Sequence, residues 1–173
     1  MNYEDYIATI PDFPKKGIMF RDVTPILENA DVMNSIAQDM AAFARLNRAD
    51  VIAAPEARGF LFGLPAAMAA GLPFIPVRKP GKLPRETVSV EYDLEYGTDT
   101  LEMHKDAIKP GQKVLIIDDL LATGGTVAAI EKMLEKMGAE CAGFAFVVEL
   151  DDLHGREKLT NAPVLTLAHY KGE

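Results

Sequence analysis

Four short apolar runs, each passing at once into polar residues of special character, constrain this chain more than any other feature. Residues 51–54 lead into Pro55-Glu56-Ala57-Arg58-Gly59 and residues 74–77 into Arg78-Lys79-Pro80-Gly81-Lys82. Residues 114–117 lead into Asp118-Asp119, and residues 144–148 into Glu149-Leu150-Asp151-Asp152. Apolar runs of this length read as strands buried on both faces. Between them lie helical spacings: Val32, Ile36, Met40 and Phe43, then Val127, Ile130, Leu134 and Met137 before Gly138. The alternation predicts an α/β fold, a mostly parallel central sheet with flanking helices on both faces. In such sheets ligands bind beyond the carboxyl ends of the strands, so all four polar segments are expected on one rim.

Residues 59–77 carry no charge over nineteen positions, about the length that spans a bilayer. Pro65, Pro73 and Pro76 with Gly59, Gly63 and Gly71 cut that stretch into a short buried helix and a strand. No membrane association is expected. With 18 Lys and Arg against 26 Asp and Glu, the net charge of −8 argues against a nucleic-acid binder that relies on diffuse positive charge. Any anion site must be local. One cysteine, Cys141, and an N-terminus with Glu4, Asp5 and Asp12 fit a reducing, cytoplasmic setting. Residues 83–104 break the strand–helix rhythm, since Thr87, Val88, Val90, Tyr92 and Leu94 alternate with acids. That excursion is expected to form a flap over the rim of a single domain, residues 1–173, with residues 1–30 as an N-terminal extension.

The densest segment is VLIIDDLLATGGT, residues 114–126. A buried strand ends in two acids, and a small-residue turn then opens a helix. Ala122, Thr123, Gly124, Gly125 and Thr126 offer successive backbone N–H groups, two hydroxyls and the positive end of a helix dipole, a set suited to a phosphate monoester. Asp118 and Asp119 lie one short loop away, in reach of ring hydroxyls or a magnesium ion. The segment is neither a P-loop nor a dinucleotide fingerprint, lacking Gly-Lys-Ser/Thr and any G-x-G-x-x-G.

Those thirteen residues resemble the phosphoribosyl pyrophosphate (PRPP) binding motif of type I phosphoribosyltransferases. FPKKGIMFRDVTP (13–25), EARGFLFG (56–63), RKPGKLP (78–84), LEYG (94–97) and GREKL (155–159) together resemble the adenine phosphoribosyltransferase family over nearly the whole chain. The resemblance implies the type I phosphoribosyltransferase fold with a hood over residues 1–30 and a catalytic flap over residues 83–104. It implies a cytoplasmic homodimer that joins adenine to PRPP, with magnesium, giving AMP and pyrophosphate.

By the same resemblance residues 122–126 hold the 5′-phosphate, and Asp118 and Asp119 engage the ribose hydroxyls, Asp118 being the candidate magnesium contact, directly or through PRPP and water. Arg58, Arg78, Lys79 and Lys82 face the pyrophosphate, where fixed cations stabilise the leaving group as its charge grows. Glu95 handles a proton on the adenine ring and Tyr96 helps to close the site. Phe20 stacks on adenine, with Met19 and Arg21 giving backbone contacts and Leu150 closing the other face. Residues 149–152 offer no nearby Lys or Arg for the 6-oxo group of another purine. Arg85, His104, His154 and His169 are left as structural or surface residues, the histidines lacking metal-ligand spacing. Two rival readings share the turn: a phosphoribosyltransferase for hypoxanthine, guanine or orotate, and a non-enzymatic PRPP-sensing regulator.

Overall fold

The structure is a computed structural model, and it describes residues 1–94 and 96–171. A 3-10 turn at Tyr3–Tyr6 leads into an antiparallel hairpin of β1 (Ala8–Pro11) and β2 (Met19–Asp22). There follow α1 (Thr24–Leu27), α2 (Ala30–Leu46), β3 (Val51–Pro55), α3 (Arg58–Ala70) and β4 (Phe74–Val77). A second hairpin, β5 (Thr87–Asp93) and β6 (Thr98–His104), precedes β7 (Lys113–Leu121), α4 (Gly125–Lys136), β8 (Glu140–Leu150) and β9 (Val164–Tyr170).

The central sheet is parallel throughout, in the order β4-β3-β7-β8-β9. Its strands alternate between two cores. Ile52, Ala54, Leu115, Ile117, Ala145 and Val147 meet Ile36 and Met40 of α2 and Phe62 of α3 on one face. Val51, Ala53, Val114, Ile116, Phe144 and Phe146 meet Ile130 and Leu134 of α4 on the other. Both faces are covered, which is why each strand reads as a continuous apolar run. Helix α2 starts where the Asn29 side chain accepts hydrogen bonds from the N–H groups of Asp31 (3.1 Å) and Val32 (3.2 Å). The uncharged stretch 59–77 is α3 followed by β4, and among the described residues no helix is long and apolar enough to cross a membrane.

Three expectations need correction. β7 does not end before the acids: Asp118 pairs with Phe146 and Leu121 with Glu149, so Asp118 and Asp119 lie inside the strand. The acid pair therefore belongs to rigid sheet and not to a loop. The β5–β6 excursion is more than a flap over the rim, because Val90, Leu101 and Met103 are buried against α4 in the second core. Finally, β9 and the β1–β2 hairpin add to the four strands that the apolar runs predict.

Candidate active site

The chain enters the sheet at β3, moves outward to β4, and then crosses to the other side of β3 to lay down β7. The order reverses between β3 and β7, and a crevice opens at the carboxyl end of such a reversal. Arg58 at the start of α3 and Asp119 near the end of β7 meet across it, Nε to Oδ2 at 3.0 Å. Asp119 is 4% exposed, while the Arg58 side chain is half exposed and faces the opening. Gly59 is needed for this approach, since a Cβ there would lie 3.1 Å from Asp118 Oδ1 and 2.9 Å from Pro55 Cδ.

Asp118 is held in an unfavourable state. Burial raises its carboxyl well above the ordinary aspartate value, and the neighbouring Asp119 charge raises it further. The Asp119 N–H, donating to Asp118 Oδ1 at 2.8 Å, offsets part of this. Beyond the pair, Ala122, Thr123, Gly124, Gly125 and Thr126 line a small cavity of about 80 Å³ together with Asp118. Gly124 takes φ +85°, the left-handed conformation that turns the chain into α4. The N-terminus of α4 thus opens on the cavity, as a phosphate requires.

On the β3–β4 side the cations are not free. Arg78 Nε donates to Glu56 Oε1 at 3.1 Å, and Lys79 pairs with Asp99 of β6. Glu56 is held below the usual carboxylate range first by the Lys79 N–H (2.9 Å) and then by Arg78. Lys79 in turn is raised by its bond to Asp99. Lys82 is exposed in the loop that follows. Arg85 lies outside this group and pairs with Asp106 at 3.2 Å on the surface.

Phe20 of β2 brings the N-terminal hairpin to the crevice. The Arg58 guanidinium lies over its ring at 5.9 Å, and Phe13 packs edge-on to it at 5.1 Å. Met19 and Arg21 flank it on the same strand, and the Arg21 side chain turns away to Thr9 (2.5 Å) and the ring of Tyr170 (4.2 Å). Leu150 is half-buried at the end of β8. Tyr96 is 87% exposed and covers nothing. Glu95 lies outside the described residues.

Sequence reading missed one constellation. Glu149, 7% exposed at the end of β8, accepts from Arg156 Nε at 2.9 and 2.8 Å and from Nη2 at 2.8 Å. The expectation of no basic residue near 149–152 is thereby corrected, although this guanidinium is spent on a carboxylate and offers nothing to a 6-oxo group. Thr166 donates to Glu149 at 3.1 Å, and His169 lies between Thr166 and Asp151, 2.9 Å from each. His169 is exposed, as expected of a surface residue, and only its grouping with Glu149 is hidden by sequence spacing, since the two are paired across β8 and β9. Ligand atoms of Glu149, Asp151 and His169 lie within 4.8 Å of one another. The Arg156 fork makes that cluster a poor cation site.

Strand-order reversal, helix N-terminus, acid pair and opposed cations define a phosphoribosyl transferase, and residues 26–167 match the phosphoribosyl transferase domain. The adenine phosphoribosyltransferase of Clostridium perfringens is 55% identical over 170 residues, 98% of this chain and 99% of that one. A crystal structure of the Thermoanaerobacter pseudethanolicus adenine phosphoribosyltransferase superposes with a TM-score of 0.92 at 52% identity, covering 97% of this chain and 98% of that chain. The Saccharomyces cerevisiae adenine phosphoribosyltransferase, solved with adenine and an imino-altritol bisphosphate, gives 0.88 at 42% identity over 95% and 98% of the two chains. The chain belongs to the adenine phosphoribosyltransferase family.

Proposed function

We propose that this rim transfers the 5-phosphoribosyl group of PRPP to adenine, giving AMP and pyrophosphate, and that its residues divide the work by position. The observation that carries the assignment is the Arg58–Asp119 contact, which sets one cation on the acid pair, beside the cavity that Asp118 shares with residues 122–126. Residues 122–126 hold the 5′-phosphate on backbone N–H groups and the α4 dipole. The bond from C1′ to the pyrophosphate oxygen breaks with its electron pair leaving on pyrophosphate. Adenine N9 bonds to C1′ and gives up its proton. Arg58, Arg78, Lys79 and Lys82 take up the charge that gathers on the leaving group. Arg58, Arg78 and Lys79 start out paired with Asp119, Glu56 and Asp99, so PRPP binding is an exchange of carboxylate for phosphate partners.

Asp118 and Asp119 accept from the ribose hydroxyls and face the carbon that becomes positive. Donors placed there relieve the burial and repulsion that raise Asp118. The same chemistry fits a hydrated magnesium ion, because two hard carboxylates beside a phosphate-binding turn suit an ion that keeps waters and shares substrate phosphates. Bound there, magnesium supplies charge neutralisation to PRPP. Phe20 stacks on the base, Met19 and Arg21 present backbone groups to its edge and Leu150 closes the far face. Glu95 manages the ring proton, a role set by carboxylate chemistry, and Tyr96 folds inward on binding.

We assign the cytoplasm as the working compartment and a homodimer as the working form. Cys141, the one cysteine of the sequence, has its thiol pushed up to about 12 by burial and by Glu131, which keeps it from the reactive thiolate form. Leu64 and Met68 of α3 are exposed beside Met33 of α2, an apolar face that a second copy would cover. Gly124→Val tests the phosphate assignment: it strains φ +85° and drives a side chain into the Gly155 carbonyl behind the turn, so that residues 122–126 must shift, and titration calorimetry should show PRPP affinity lost. Unchanged affinity in a folded Gly124→Val protein would make the turn purely structural.

A further inference from the structure

The 5′-phosphate turn does not stand alone against solvent. Behind it lies the 3-10 turn Gly155–Lys158, in contact so close that neither side tolerates another carbon. A Cβ on Gly124 would lie 2.6 Å from the Gly155 carbonyl oxygen and 3.4 Å from Lys158 Cβ. A Cβ on Gly155 would collide with the Ala122 carbonyl oxygen and reach Leu121 Cδ1 at 2.9 Å. Two backbones therefore fix each other's position, and displacing one moves the other.

The second turn is not itself part of the sheet. Its anchor is Arg156, one residue beyond Gly155, whose guanidinium grips Glu149 at the rigid end of β8 through three contacts of 2.8 to 2.9 Å. Glu149 is steadied in turn by Thr166 of β9 at 3.1 Å, which Arg156 Nη2 also reaches at 3.2 Å. A forked pair of this kind fixes orientation as well as distance. The pair is partly buried, so water does not readily replace either partner.

We infer that Arg156, through Glu149, is a positioning residue for the phosphoribosyl substrate: it presses the Gly155–Lys158 turn against residues 122–124 and so sets the shape of the 5′-phosphate cradle. The inference rests on the reading of residues 122–126 as the 5′-phosphate site. Arg156 touches no reacting atom. Its loss weakens ground state and transition state alike, which raises KM for PRPP and leaves kcat in place.

The test is titration calorimetry with ribose 5-phosphate and, separately, with adenine, on the intact protein and on Arg156→Gln, Arg156→Lys and Thr166→Val, beside steady-state kinetics. Arg156→Gln should weaken ribose 5-phosphate about tenfold and raise the PRPP KM to match, with kcat and adenine affinity within about twofold. Arg156→Lys, keeping charge without the fork, should fall between. If Arg156→Gln does not fold, Thr166→Val, which removes one partner of Glu149, should shift ribose 5-phosphate alone in the same direction. Equal ribose 5-phosphate affinity in the folded variants, or parallel loss of adenine and ribose 5-phosphate, would overturn the inference. Thr126→Val separates the two readings. If it loses ribose 5-phosphate while the other variants keep it, only the positioning role falls; if every variant keeps it, the cradle assignment falls as well.

Discussion

Asp118 and Glu149 show how opposite electrostatic states serve one rim. Burial and the Asp119 charge raise the Asp118 carboxyl above its unfolded value, so its contribution to stability is full below the unfolded pKa, about 3.9, and is lost as pH rises through the folded value. Asp118→Asn should therefore melt higher at neutral pH, by about 2–4 °C for each kcal/mol relieved, with the gain vanishing in acid. Combined with Asp119→Asn it should cut kcat/KM by about a hundredfold. A less stable Asp118→Asn, or a double variant of near-normal activity, would contradict this account. The Arg156 guanidinium does the reverse to Glu149, holding it below its ordinary value. That stability is present above the unfolded glutamate pKa of about 4.3 and lost as pH falls through the folded one. Melts of Arg156→Gln across pH should show a deficit at neutral pH that closes in acid. Both acids could be seen in the sequence at strand ends, but their states could not, because Arg156 and Thr166 reach Glu149 only once β8 and β9 lie side by side.

The β5–β6 hairpin has a buried base, while Leu94 and Tyr96 near its turn are exposed. Its base is core: Val90, Leu101 and Met103 are buried, and Lys136 of α4 donates to the Ser89 carbonyl at 3.0 Å. We propose that movement on binding belongs to the residues around Tyr96 and not to the whole of residues 83–104. Chymotryptic cleavage after Tyr96 should be fast in the free protein and slow with magnesium, PRPP or AMP added; a rate indifferent to ligand would deny a closing role. Elements were legible in proportion to how local their cause is. The three- and four-residue steps of α2 and α4 and the buried runs of β3, β4 and β8 announced themselves. β7 was cut short because charged residues look foreign to a buried strand, yet at the carboxyl end of a parallel sheet the strand keeps its pairing as it emerges into the crevice. β9, with Thr166 and His169 interrupting its apolar face, becomes a strand only by pairing with β8.

Across the whole molecule, the proposed base specificity rests on the N-terminal hairpin meeting the sheet. Tyr3, buried and donating to Asp39 of α2 at 2.5 Å, ties the N-terminus to the body, and Phe20 with its strand neighbours then faces the crevice beneath Arg58. Adenine offers a donor at its 6-amino group where hypoxanthine offers an acceptor. Fixed backbone groups at Met19 and Arg21 would be left mismatched by the wrong base, a discrimination that reaches about 10⁴-fold in kcat/KM. Phe20→Ala should weaken adenine use without making hypoxanthine good, since Arg156 is committed to Glu149. The decisive measurement is nucleotide formation from magnesium-PRPP with adenine and hypoxanthine in competition. The account predicts AMP with stoichiometric pyrophosphate and almost no IMP; absence of AMP, or comparable turnover of the two bases, would contradict it.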